Sequence, residues 1–206
     1  MNKQKSFNYY FKTEINELNY FVNKTNFYAF NGLINNETQF SFLYGPNKSG
    51  KTFLSHIWLN KNNALKFKEN IRILNNKNIL IDDLQLFDEE NLFHIVNNCI
   101  LNKLKILVTS NIKINDINFK YNDLSSRLKT FSIFQINQPD DEMLLTILTK
   151  LLVEKQFIIN TNDIFEFILR RVNRSYQGIH DIVNKLDILS LEKKRQLTIP
   201  LIKEIL

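Results

Sequence analysis

The 206-residue chain is long enough for one ordinary domain, or for a nucleotide-binding-sized core with a small appendage. Its 44% hydrophobic and 23% charged residues are globular proportions and exclude the disordered and fibrous classes. The single cysteine, Cys99, excludes an internal disulfide and a cysteine-built zinc site and makes the cytoplasm the expected compartment, while the +6 net charge is spread over scattered lysines and defines no basic face by itself.

The chain opens Met1-Asn2-Lys3-Gln4-Lys5-Ser6 without an apolar segment, so no signal peptide is expected. No run approaches the roughly 18 apolar residues of a membrane span, so no membrane partner is expected. Glycine is scarce: of only four, Gly45 and Gly50 fall within six residues, together with Pro46, one of three prolines. Residues 38–44 are a β-rich apolar run, and 53–59 have helical spacing. Between them, Gly45-Pro46-Asn47-Lys48-Ser49-Gly50-Lys51-Thr52 matches G-x-x-x-x-G-K-[ST] in full. Strand, loop and helix are the context in which that pattern cradles phosphate: the glycines let successive N–H groups converge on an anion, and the helix start adds partial positive charge. Lys51 is expected to reach the β- and γ-phosphates and the Thr52 hydroxyl to ligate Mg²⁺, with ATP or ADP as the nucleotide.

A second strand is expected near 65–68, and 78–83 read as an apolar strand ending in two carboxylates. Asp82 is placed to hold Mg²⁺, directly or through water, and Asp83 to orient an attacking water. From Phe87 to Val96, acidic residues followed by apolar ones at helical spacing predict a helix. The lone histidines His56, His94 and His180 read as packing or surface residues. Residues 105–111 are another buried-type strand, whose end places Asn111 to touch a γ-phosphate or the attacking water. Asp123-Leu124-Ser125-Ser126-Arg127-Leu128 precedes a fifth strand over 131–136. Five strands with helices between them predict an α/β P-loop core with a parallel sheet. After Pro139 only helices are predicted: 140–153, 164–172, 175–191 and 200–206, the last with Pro200 in its first turn. The expected division is a mobile N-terminal peptide over 1–12, the nucleotide-binding core over 13–138 and an all-helical lid over 139–206.

The order of these parts resembles the AAA+ ATPases, and within them the Hda-type regulators of the DnaA branch. Residues 42–52 are similar to that branch's Walker A, 79–83 to its Walker B, 107–111 to its sensor 1, and 123–128 to the box holding its arginine finger. Residues 196–206 resemble the end of the Hda type. The resemblance implies a nucleotide-bound regulator of replication initiation with weak turnover of its own, which activates a partner's ATPase. Its partners would be the initiator DnaA, reached by Arg127 in trans, and the DNA polymerase sliding clamp, with DNA met only indirectly and a homodimer left open. Gln4, Phe7, Tyr9 and Tyr10 would form the clamp-binding peptide. The chain ends directly after the lid, without the DNA-reading helices of an initiator, which favours the regulator. At the family's sensor 2 arginine stands Gln177, which brings no charge to a γ-phosphate; Arg174, one helical turn earlier, is the alternative. Two other classes compete. A helicase-loader or transposition-helper ATPase would show salt-sensitive DNA binding. A small-molecule P-loop kinase would not need Arg127, and the helical tail argues against it.

Overall fold

The apolar runs form one parallel sheet. The computed structural model describes residues 17–35, 38–68, 76–159 and 163–206. Its strands are β1 (Phe40–Tyr44), β2 (Leu65–Lys66), β3 (Ile79–Ile81), β4 (Ile106–Ser110) and β5 (Ser132–Gln135), ordered β2-β3-β4-β1-β5. Every residue of β3 and β4 is buried, as expected where helices cover both faces of a parallel sheet. Tyr44 lies opposite Ser110 and Ile81 opposite Val108. These registers bring the carboxyl ends of β1, β3 and β4 to one end of the sheet, where ligands sit in such folds.

Four helices pack on this sheet: α1 (Phe27–Ile34), α2 (Lys51–Lys61), α3 (Glu89–Leu101) and α4 (Asn122–Leu128). In α3, Asp88 caps the start by accepting from the N–H groups of Glu90 and Asn91, and Leu92, Ile95, Val96 and Cys99 form the buried stripe. Burial pushes the Cys99 thiol up to about 12, so it behaves as an apolar core residue. Helix α1 was not anticipated from sequence. Ala29, Leu33 and Ile34 face inward, but Phe27 and Tyr28 are exposed and Gly32 interrupts the pattern. That glycine is needed for close approach: a Cβ there would stand 2.0 Å from Cε1 of Phe134 on β5.

The described residues fall into two compact units, one ending at Gln138 and the other running from Pro139 to Leu206. The second consists of α5 (Asp141–Glu154), α6 (Asp163–Leu169), α7 (Tyr176–Lys193) and α8 (Ile199–Ile202). Asp140, Ser175 and Thr198 cap α5, α7 and α8. Leu144, Leu148 and Leu152 meet Ile179, Val183 and Leu186 in its core. Helix α6 stops at Leu169, short of the expected 172, and α8 at Ile202 instead of 206. Among the described residues no helix is long and apolar enough to cross a membrane.

Candidate nucleotide site

The loop after β1 begins at the centre of the sheet, where the Gly45 N–H donates to the Ser110 carbonyl at 3.3 Å. Gly45 has no room for a side chain: a Cβ would stand 2.9 Å from both Cβ and the carbonyl oxygen of Ile136. Gly50 lies at φ +88°, in the left-handed region that favours glycine, and α2 starts directly after it with no side-chain cap. The first N–H groups of α2 therefore have no capping side chain, which is the arrangement an anion completes. Ser49 Oγ is buried and has no hydrogen-bond partner among the described residues. Pro46, Asn47 and Lys48 form the outer rim, with Asn47 and Lys48 exposed.

Lys51 is buried and folded back onto the loop, donating to the carbonyls of Gly45 (2.8 Å) and Pro46 (2.7 Å). Loss of water pushes its ammonium from an ordinary 10.5 down to about 8, against the pull of the Asp83 and Asp82 carboxylates.

The carboxylates follow β3. Asp82 is buried, and both its oxygens are engaged: Oδ1 accepts from Thr109 Oγ1 (3.0 Å) and Thr52 Oγ1 (3.4 Å), and Oδ2 from Lys66 Nζ (2.7 Å). Asp83 lies at φ +70°, a left-handed conformation that costs a non-glycine residue about 1–3 kcal/mol unless its surroundings hold it. Its N–H donates to Thr109 Oγ1 at 2.8 Å, and its buried Oδ1 has no partner among the described residues. Thr52, Lys66, Lys68, Asp82, Asp83 and Phe87 are among the residues lining a cavity of about 620 Å³ beside the loop.

The structure thus brings the loop, Thr52, Asp82 and Asp83 together. Asn111 follows β4 and is exposed; the neighbouring Ser110 hydroxyl is fixed by Gln85 Nε2 at 2.6 Å. Arg127, near the end of α4, is half-buried with its guanidinium 5.6 Å from the ring centre of Phe93 on α3. No carboxylate among the described residues pairs with it. In the helical unit, Gln177 donates to Asp181 (2.8 Å) and Arg174 is ion-paired with Asp141. Gln4, Phe7, Tyr9 and Tyr10 lie outside the described residues.

Sequence reasoning missed three contributors. Thr109 couples Asp82 to the Asp83 backbone; a hydroxyl at the end of a buried strand was its only signal. Lys66 stands opposite Leu80 in the register, and a lysine between Leu65 and Phe67 was the clue. Tyr20 stacks between Phe30 and Phe53, at 5.8 and 5.7 Å, with its ring edge over Gly50.

Residues 141–206 match the family described as Hda, lid domain. The chain is 26% identical over 239 residues to the chromosomal replication initiator protein DnaA of Buchnera aphidicola subsp. Cinara cedri, covering 100% of this chain and 53% of that protein. It spans about half the length of the curated relatives it matches, 53% and 41% for two Buchnera DnaA proteins. Its structure is similar to domain III of the Thermotoga maritima DnaA, with a TM-score of 0.74 at 18% identity over 93% of this chain and 95% of that one. It is also similar to AMPPCP-bound DnaA from Aquifex aeolicus, with a TM-score of 0.63 at 18% identity over 85% and 65%.

A five-stranded parallel P-loop sheet followed by a helical lid defines an AAA+ module. The lid match and the sequence likeness to DnaA make this chain similar to DnaA-related AAA+ proteins of the Hda type.

Proposed function

We propose that the chain is a nucleotide-bound regulator that presses the initiator DnaA to hydrolyse its ATP. ATP or ADP binds on the loop 45–52, with its phosphates received by the N–H groups at the start of α2 and by Lys51. Thr52 and Asp82 are the residues that would take Mg²⁺. Both Asp82 oxygens are hydrogen-bonded, Oδ1 to Thr109 and Thr52 and Oδ2 to Lys66.

The observation that carries the reading is Arg127. Its guanidinium is steadied over Phe93, half-exposed, and no carboxylate among the described residues neutralises it. A cation so held can be offered to a neighbouring molecule's γ-phosphate, where such a group accelerates phosphoryl transfer by about 10³- to 10⁵-fold. The peptide holding Gln4, Phe7, Tyr9 and Tyr10 docks on the sliding clamp, which confines the action to DNA being copied by raising local concentration.

ATP-loaded initiator, clamp and DNA are combined with the chain, and hydrolysis is followed. Stimulation that vanishes in Arg127→Ala, with ADP still bound by the variant, supports the proposal; stimulation that survives the change removes Arg127 from the role. Clamp capture by the full chain, lost in a Gln4→Ala, Phe7→Ala double variant, tests the peptide separately.

A further inference from the structure

We infer that Lys66 is a built-in cation of the nucleotide site, so that ADP binds here without Mg²⁺; this rests on the nucleotide reading above. A buried carboxylate has to be paired, and Asp82 is buried. Its partner is the Lys66 ammonium, 2.7 Å from Oδ2, and its other oxygen is taken by two hydroxyls. A divalent ion at Asp82 would have to displace that ammonium or sit beside it as a like charge. The pairing is set by the sheet. β2 contributes only Leu65 and Lys66, and the register of Lys66 with Leu80 carries its side chain to the carboxylate two residues further along the neighbouring strand. Lys66 is also partly exposed and lines the cavity that Thr52, Asp82 and Asp83 share. Its charge therefore faces the space beside the phosphate loop as well as Asp82. The ammonium neutralises the carboxylate that would otherwise repel a bound phosphate, which is part of the electrostatic service a divalent ion performs in other phosphate loops.

The test is the affinity of the full chain for a fluorescent ADP in Mg²⁺ buffer and in EDTA. The wild-type Kd is expected to agree between the two within about twofold. Lys66→Met leaves Asp82 uncompensated beside a polyanion, so its affinity in EDTA falls by at least about tenfold and is recovered by Mg²⁺. Lys66→Arg keeps the charge and stays indifferent to the metal. Mn²⁺ titrated into the ADP complex and read by electron paramagnetic resonance binds about tenfold more tightly to Lys66→Met than to wild type. A wild-type affinity that drops tenfold in EDTA and returns with Mg²⁺ overturns the inference and leaves the nucleotide reading standing. Failure to bind ADP in either buffer removes both. The wild-type comparison stands alone if Lys66→Met does not fold.

Discussion

Lys51 makes the stability of the nucleotide-free protein and its nucleotide affinity answer pH in opposite directions. Its ammonium is lowered from 10.5 to about 8, first by loss of water in the floor of the loop, with the Asp83 and Asp82 carboxylates opposing. Between about pH 8 and 10.5 the unfolded chain keeps a proton at this position that the folded chain has released. Stability rises with pH wherever the unfolded state binds more protons, so this group adds stability through that window. Below about pH 8 both states are charged and the cost of burying the ammonium is felt in full; above 10.5 both are neutral and the cost is gone. The separation corresponds to about 3 kcal/mol at the upper end of the window. A bound phosphate needs the charged form, so ADP affinity is expected to fall by about tenfold per pH unit once the free protein's Lys51 deprotonates. Urea denaturation of wild type and Lys51→Met, at points from about pH 7 to about pH 10, isolates the stability arm, because other titrating groups are common to both. The wild-type minus variant difference should climb with pH while wild-type ADP affinity declines. Parallel stability profiles for the two proteins, or an affinity flat across the window, would refute the placement of Lys51 as a desolvated phosphate contact.

Three further outcomes follow from particular contacts. Thr109→Val removes a donor to Asp82 and the acceptor of the Asp83 N–H, and should cost about 1–3 kcal/mol in urea denaturation, most of it regained in Thr109→Ser. Gly32→Ala gains about 1 kcal/mol of helix propensity but drives a methyl into the Phe134 ring, so overpacking of about 1–3 kcal/mol should win and lower the melting temperature, with Phe134→Leu in the same chain relieving it. Ser175→Ala strips the cap that accepts from the Gly178 N–H at 3.0 Å, and should cost about 1 kcal/mol and raise amide hydrogen exchange in the first turn of α7.

What could be read in advance was what depends on neighbours along the chain. The loop is eight consecutive residues, β3 is an unbroken apolar run and β4 opens on one, so the strands and the loop announce themselves. The helices of the lid declare their starts through Asp140, Ser175 and Thr198, whose side chains accept from the first turn. Their ends were less legible. Helix α8 is four residues long although apolar residues continue beyond it, and α7 closes on Lys194 at φ +52° with no glycine to mark the stop. Helix α1 was hidden because its apolar residues point both ways. Lys66 and Thr109 were hidden for a different reason. Their common partner Asp82 lies 16 and 27 residues away, just past the end of the strand between theirs, and only the sheet register brings the three together.

On the proposed reading, the site's own charges bear on which molecule's nucleotide the chain would act upon. Asp82 is held by Lys66, Thr109 and Thr52, and Lys51 by two loop carbonyls. In the lid, Arg174 is spent on Asp141 and Gln177 on Asp181. Lys51, Thr52 and Asp82 are thus engaged within the chain, while Asp83 Oδ1 has no partner among the described residues and Gln177 carries no charge. Arg127 differs: a ring steadies it, and no carboxylate among the described residues meets it. A guanidinium is weakly hydrated, so one left half-exposed beside an aromatic ring can be offered to whatever docks against α4. On the proposed reading that division is the mechanism: the loop grips a nucleotide to hold the shape of the protein, and Arg127 is presented to another molecule's phosphate. A wild-type chain that hydrolysed its own ATP rapidly and lost that turnover in Arg127→Ala would reverse the assignment, making the arginine a participant in self-association and not in regulation of DnaA.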